Sequence, residues 1–209
     1  MTTVLIYLKY PQEGKVKTRL AKDIGQQEAT RVYEKLLHYT FAVTDQLPKA
    51  EFKVVAMCDP FKPLSDYQAY LSSYRAVCRH QSGRNLGERL ANGFRETLNE
   101  TDSAIAVGTD CPGLETQHYH QSRSLLKTQY DLVLGPSRDG GYYLLGMKHF
   151  YPTLFTEIPW STEMVGRLTQ AKAKGLGLNV HRLELLSDID TLEDWEKAKS
   201  DFATGKRWD

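Results

Sequence analysis

The 209-residue chain has no excess of charge of either sign: 27 Lys and Arg face 26 Asp and Glu, a formal net charge of +1. That argues against nucleic acid as the main partner, which would call for a basic surplus, and against an acidic disordered tract. Cysteine is scarce. Cys58, Cys78 and Cys111 are odd in number and far apart, which fits reduced thiols in a cytoplasmic protein better than a disulfide framework or a zinc site. No run approaches the roughly 20 apolar residues that span a bilayer. The N-terminus lacks the cationic, apolar and small-residue succession of a secretory signal. Neither a membrane nor export is expected.

Several catalytic signatures are missing as well. Gly14-Lys15 is followed by Val16, with no earlier glycine at the phosphate-loop spacing, and Gly175-x-Gly177 follows a helical stretch without a third glycine. The six histidines form no H-E-x-x-H, and His118 and His120, two apart on a helix, read as surface residues. No G-x-S-x-G elbow suggests a serine hydrolase. There is no internal repeat and no linker rich in Pro, Gly or Ser.

What is present is an alternation of strand-like and helix-like stretches in a chain with 41% hydrophobic residues. "VLIYLKY" (4–10), "FKVVAMC" (52–58), "YRAVCRH" (74–80), "SAIAVGTD" (103–110), "YDLVLGPS" (130–137), "GYYLLGM" (141–147) and "NVHRLELL" (179–186) are short, branched or aromatic runs. Helical spacing recurs over 26–47, 85–98, 116–127 and 161–174, the last with Ser161 or Thr162 as a candidate N-cap, and again in "TLEDWEKAKS". Pro63 opens a short helix to Leu71. Short connections between alternating elements imply a three-layer α/β/α fold with a mostly parallel sheet, one domain over 1–209.

Ligands of such sheets sit beyond the carboxyl ends of the strands. The first strand runs into "YPQEGKVKTRLA", which places Lys15, Lys17 and Arg19 around Gly14. The fourth ends in Asp110, the fifth in "GPSRDGGYY" with Asp139, and the last in "LSDIDTLEDW" with Asp188 and Asp190. One cationic and three acidic turns thus share an expected rim. A carboxylate closing a strand of Ala, Ile and Val, as Asp110 does, must find a partner or water. Thr191 or Asp190 also reads as the N-cap of the final helix.

Together "PQEGKVKTRLA", "GTDCPGL", "LGPSRDGGYYLLGM", "PWST" and "SDIDTLEDW" resemble a family of transferases with the glycosyltransferase-A (nucleotide-diphospho-sugar transferase) fold, related to phospholactate guanylyltransferase. The resemblance runs from the first strand to the last helix. It implies that Lys17 and Arg19 hold a nucleotide's phosphates, with Gly14 allowing close backbone approach. It implies Mg²⁺ (or Mn²⁺) on Asp110, with Asp190 as second ligand. It places Arg84, Asn85 and Gly87 near base and ribose, and Asp139, Gly140, Gly141, Trp160, Ser161 and Thr162 on the acceptor side.

The residue types suit that chemistry: nucleotidyl transfer needs phosphate charge neutralised by a carboxylate-held metal and by cations. The reading is therefore a transferase acting on a nucleoside triphosphate and a small phosphorylated acceptor, with Lys17, Arg19, Asp110 and Asp139 as catalytic candidates. Glycosyl transfer from a nucleotide sugar, with Asp139 as acceptor-side base, is the alternative, and an inactive nucleotide-binding domain a third. A homodimer is one assembly open to such a chain.

Overall fold

A computed structural model describes residues 1–203, with side chains to 199; the last residues of the expected 1–209 unit lie outside the described residues. The elements in order are β1 (Thr2–Leu8), α1 (Ala21–Ile24), α2 (Gln26–Asp45), β2 (Phe52–Cys58), α3 (Leu64–Tyr70), β3 (Val77–His80), α4 (Leu86–Leu98), β4 (Ser103–Val107), α5 (Thr116–Thr128), β5 (Leu132–Pro136) and β6 (Tyr142–Met147). A 3-10 turn (Pro152–Phe155), α6 (Val165–Gly175), β7 (Val180–Arg182) and α7 (Leu192–Ala203) complete the chain.

The seven strands form one sheet in the order β3-β2-β1-β4-β6-β5-β7. Only β6 runs against its neighbours, β4 and β5; the other pairings are parallel. The expected α/β architecture with a mostly parallel sheet is therefore what the chain adopts. One consequence positions the site. The carboxyl ends of β1, β2, β3, β4, β5 and β7 all point to the same rim, and β6 starts there.

Alternation along β1 divides the core. Val4, Ile6 and Leu8 face a layer built on Tyr33, Leu37 and Phe41 of α2 and Tyr119 and Leu126 of α5. Leu5, one residue out of phase, faces Leu90 and Phe94 of α4, the 3-10 turn and Ala173 of α6. A third cluster joins Leu20, Val32 and Leu36 to Ile189 and Trp195, binding the first loop to the last.

Two expectations need correction. The helix expected from Ser161 begins only at Val165, and Met164 precedes it without a side-chain cap. Ser161 has φ +66°, outside the helical region, and the Thr162 hydroxyl donates to Pro159 O (2.7 Å) in the preceding turn. His118 is not a surface residue: it is 2% exposed, and its Nε2 meets Glu184 Oε1 at 3.0 Å. His120 is exposed, with its ring edge-on to Phe52.

Gly93 is a glycine in mid-helix. A Cβ there would stand 2.2 Å from Tyr7 Oη, with every other atom at 3.4 Å or more. Helix propensity alone favours Ala over Gly by about 1 kcal/mol. The expected result in denaturant unfolding is that Gly93→Ala destabilises the wild type but stabilises, or leaves unchanged, a Tyr7→Phe background. Equal effects in both backgrounds would show that the Tyr7 hydroxyl does not impose the glycine.

Candidate functional site

The turn after β1 folds inward. Gly14 has φ +72°, the left-handed region that glycine enters at little cost, and Lys17 has φ +46°, rare for a residue with a Cβ. That conformation turns the Lys17 side chain, 4% exposed, toward the sheet. Its Nζ donates to Ile189 O (2.5 Å) and meets Asp110 Oδ1 (2.5 Å). Ile189 N donates in turn to Asp110 O (2.9 Å). The loops after β1, β4 and β7 are thereby locked together, and Asp110 has the partner its position demands. Lys17 lies within the carboxylate group and is not displayed to solvent. Arg19 is exposed and holds Asp190 Oδ2 at 2.8 Å through Nη1. Lys15 Nζ lies 5.4 Å from the centre of the exposed Phe61 ring at the end of β2.

The carboxylate that stands out is Asp188. Asp190 is engaged by Arg19, whereas Asp188 Oδ1 is buried without a hydrogen-bond partner. Burial, then the Asp139 and Asp110 carboxylates, push its pKa up to about 7; Lys17 opposes the rise and Asp190 adds to it. Nearby Cys111 is pushed up to about 12 by burial and then by Asp188. Four carboxylates and one buried ammonium thus share one electrostatic neighbourhood. Among the described residues no three His, Cys, Asp or Glu side chains already converge as a cation cage. A divalent ion nonetheless fits the donor types: hard carboxylate oxygens, one of them, Asp188 Oδ1, buried without a partner, are what Mg²⁺ accepts. The sequence signal for Asp188 was only its place two residues before Asp190.

The remaining expected residues fall into two groups. Asn85 is the N-cap of α4, its Oδ1 accepting from Glu88 N (2.9 Å), and Arg84 is clasped by Glu88 (Nη2–Oε1 2.6 Å) at the surface. Gly87 faces Trp160: a Cβ would lie 2.1 Å from Trp160 Nε1, so this glycine is what lets the indole lie on α4. Ser161 and Thr162 follow in the exposed turn. Beyond them, Asp139 Oδ1 accepts from Gly141 N (2.8 Å) and from the Ser137 hydroxyl, a self-contained turn that leaves Oδ2 uncommitted. Gly140 has φ +88°, and its carbonyl accepts from Gly166 N (2.9 Å).

Asp188 yields a signed prediction. An acid with a pKa near 7 when folded, against about 3.9 unfolded, binds an extra proton only in the native state. Its contribution to stability is complete below about pH 4 and is lost as pH climbs to 7. Asp188→Asn should gain in melting temperature relative to the wild type as pH rises from 5 to 8. An equal difference at both pH values would contradict the assignment.

Three relatives give this geometry a context. A candidate nucleotide-diphospho-sugar transferase from Desulfovibrio desulfuricans G20 superposes with a TM-score of 0.87 and 27% identity, covering 98% of this chain and 87% of that one. A cytidylyltransferase from Leptospira borgpetersenii serovar Hardjo-bovis shares the fold at a TM-score of 0.63 and 14% identity, over 97% and 87% of the two chains. The 2-phospho-L-lactate guanylyltransferase of Methanocaldococcus sp. (strain FS406-22) is 31% identical over 113 residues, 53% of this chain but only about half (47%) of that protein. A family profile matches residues 42–162, and the chain belongs to that family, described as an uncharacterized protein conserved in bacteria (DUF2064).

Proposed function

We propose that the chain is a nucleotidyltransferase that joins a nucleoside triphosphate to a small phosphorylated acceptor. The observation that carries this reading is the gathering of Asp110, Asp139, Asp188 and Asp190 around the buried Lys17, with Arg19 exposed beside them. In the reaction, an oxygen of the acceptor's phosphate forms a bond to the α-phosphorus, the bond from that phosphorus to the bridging oxygen breaks, and pyrophosphate leaves. A phosphate monoester near pH 7 carries about −1.5 to −2 charge, so the nucleophile needs no deprotonation. Asp139, whose Oδ1 is committed to its own turn, is therefore not required as a base.

Mg²⁺ (or Mn²⁺), when bound, would neutralise phosphate oxygens, and Asp110 would hold it, with Asp188 in place of the expected Asp190 because Asp190 is engaged by Arg19. Lys17 orients Asp110 through its ammonium contact. Arg19 can exchange its exposed Asp190 partner for phosphate, a trade that costs little because surface ion pairs contribute about 0–1 kcal/mol. The likeness to a guanylyltransferase and a cytidylyltransferase supports nucleotidyl over glycosyl transfer, as does the absence of a second acid two residues before Asp110, where Gly108 stands. Among the described residues no helix is long and apolar enough to cross a membrane.

The test is product analysis with Mg²⁺, each nucleoside triphosphate or nucleotide sugar, and a panel of phosphorylated hydroxy acids. Pyrophosphate release that depends on the acceptor is expected. Asp110→Asn should lower it by about 10²–10³, the scale of one transition-state electrostatic contact, with the far-ultraviolet circular dichroism unchanged. Release of nucleoside diphosphate from nucleotide sugars would overturn the reading in favour of glycosyl transfer, and binding without turnover would overturn it in favour of a sensor.

A further inference from the structure

We propose that the cavity between the Asp139 turn and the start of α6 receives an oxyanion, the carboxylate or phosphate group by which the acceptor is held. The cavity is an open groove of about 350 Å³, within the roughly 300–1000 Å³ of small-molecule sites. Its donors are Arg167 and Gln170 of α6 and Arg182 at the end of β7. Register explains the convergence. Arg182 pairs with Leu134 of β5, so it ends its strand at the same rim, beside Pro136 and the turn that follows.

The walls are built for close approach. A Cβ on Gly140 would lie 2.2 Å from Glu163 O, and one on Gly166 would lie 2.9 Å from Gly140 O. The backbone bond from Gly166 N to Gly140 O (2.9 Å) clamps the turn to the helix. The glycines at this joint therefore put no side chain between the turn and the guanidinium groups.

The guanidinium groups at this cavity hold no carboxylate among the described residues. Arg19, Arg75, Arg84, Arg89 and Arg123 each hold a carboxylate. Among the described residues, the exposed Arg182 side chain makes neither hydrogen bond nor ion pair, and the Arg167 guanidinium, also exposed, has a hydrogen-bond partner only in Met164 Sδ (3.4 Å). Glu163 also borders the cavity without engaging either guanidinium, leaving a local excess of one positive charge. Planar guanidinium groups favour bidentate oxyanions, and two of them around one small cavity select a carboxylate or phosphate over a neutral group. Asp139, which acts on the ionisation of Asp188, adjoins this wall, so an anion held here sits next to the carboxylate cluster. Identifying that anion with the acceptor rests on the nucleotidyl-transfer reading; the oxyanion site itself does not.

The test is calorimetric titration of the full chain with 3-phosphoglycerate, glycerol 3-phosphate and glycerate, and separately with GTP and CTP in Mg²⁺. The wild type is expected to bind at least one of the three anions. Arg167→Gln/Arg182→Gln should weaken that binding at least about 10-fold, the loss of roughly one charge-assisted contact, while leaving nucleotide binding within about twofold. Glycerate binding would show that the carboxylate fills the cavity, and glycerol 3-phosphate binding that phosphate does; both support the site. Undiminished anion binding in the double variant, or none in the wild type, overturns it. Anion binding without nucleotide binding would uphold the cavity and remove the nucleotidyl-transfer reading. Nucleotide binding without anion binding would do the reverse.

Discussion

Everything on the ligand-facing rim leans on one buried ammonium. Lys17 reaches inward from a left-handed backbone position and joins Asp110, at the end of β4, to the carbonyl of Ile189, 172 residues further along the chain. Without that cation, Asp110 would close an apolar strand with no counter-charge, and Asp188 would ionise among three other carboxylates with nothing to oppose their repulsion. Removing one partner of a buried pair costs roughly 3–5 kcal/mol. Here the figure is smaller, because Asp110 is half exposed and water screens it. The geometric role outweighs the energetic one: the lysine decides where the last loop lies.

That loop carries three structural roles in four residues, 188–191. Ile189 buries its side chain against Leu20, Val32 and Leu36. Asp188 is directed into the carboxylate cluster and Asp190 toward Arg19. Thr191 caps α7 in a reciprocal exchange with Asp194, Thr191 N donating to Oδ2 at 2.8 Å. Packing, the placement of the carboxylates and helix initiation thus constrain neighbouring positions.

Much of this was legible in the sequence, for identifiable reasons. Runs such as "FKVVAMC" and "SAIAV" specify strands because they are too short and too branched for helices, and the parallel topology then forces the turns holding Lys17, Asp110, Asp139 and Asp190 onto one rim. The resemblance to nucleotide-dependent transferases rested on those same turns. What escaped were choices made by distant partners. Asp188 and Asp190 share a parity and a motif; only the capture of Ile189 O by Lys17 decides which is buried. His118 is polar and helical, yet Glu184, 66 residues away, gives it a buried partner. The start of α6 was misplaced because Trp160 lies on Gly87 and Ser161 takes a left-handed conformation in the turn beside it, where local helix signals would have continued the helix. Arg167 and Arg182 carried no signal, since an arginine without a partner looks like any other in one dimension.

The central claim is that the Lys17 ammonium holds the last loop against the β4 turn. Amide hydrogen exchange on Lys17→Met tests it most directly, because the Ile189 amide is bonded to Asp110 O beside the two Lys17 contacts. The expected result is faster exchange across residues 186–191, by about 10-fold or more, with β1 and β4 as protected as in the wild type. An Ile189 amide that exchanges at the wild-type rate in the variant would contradict the account.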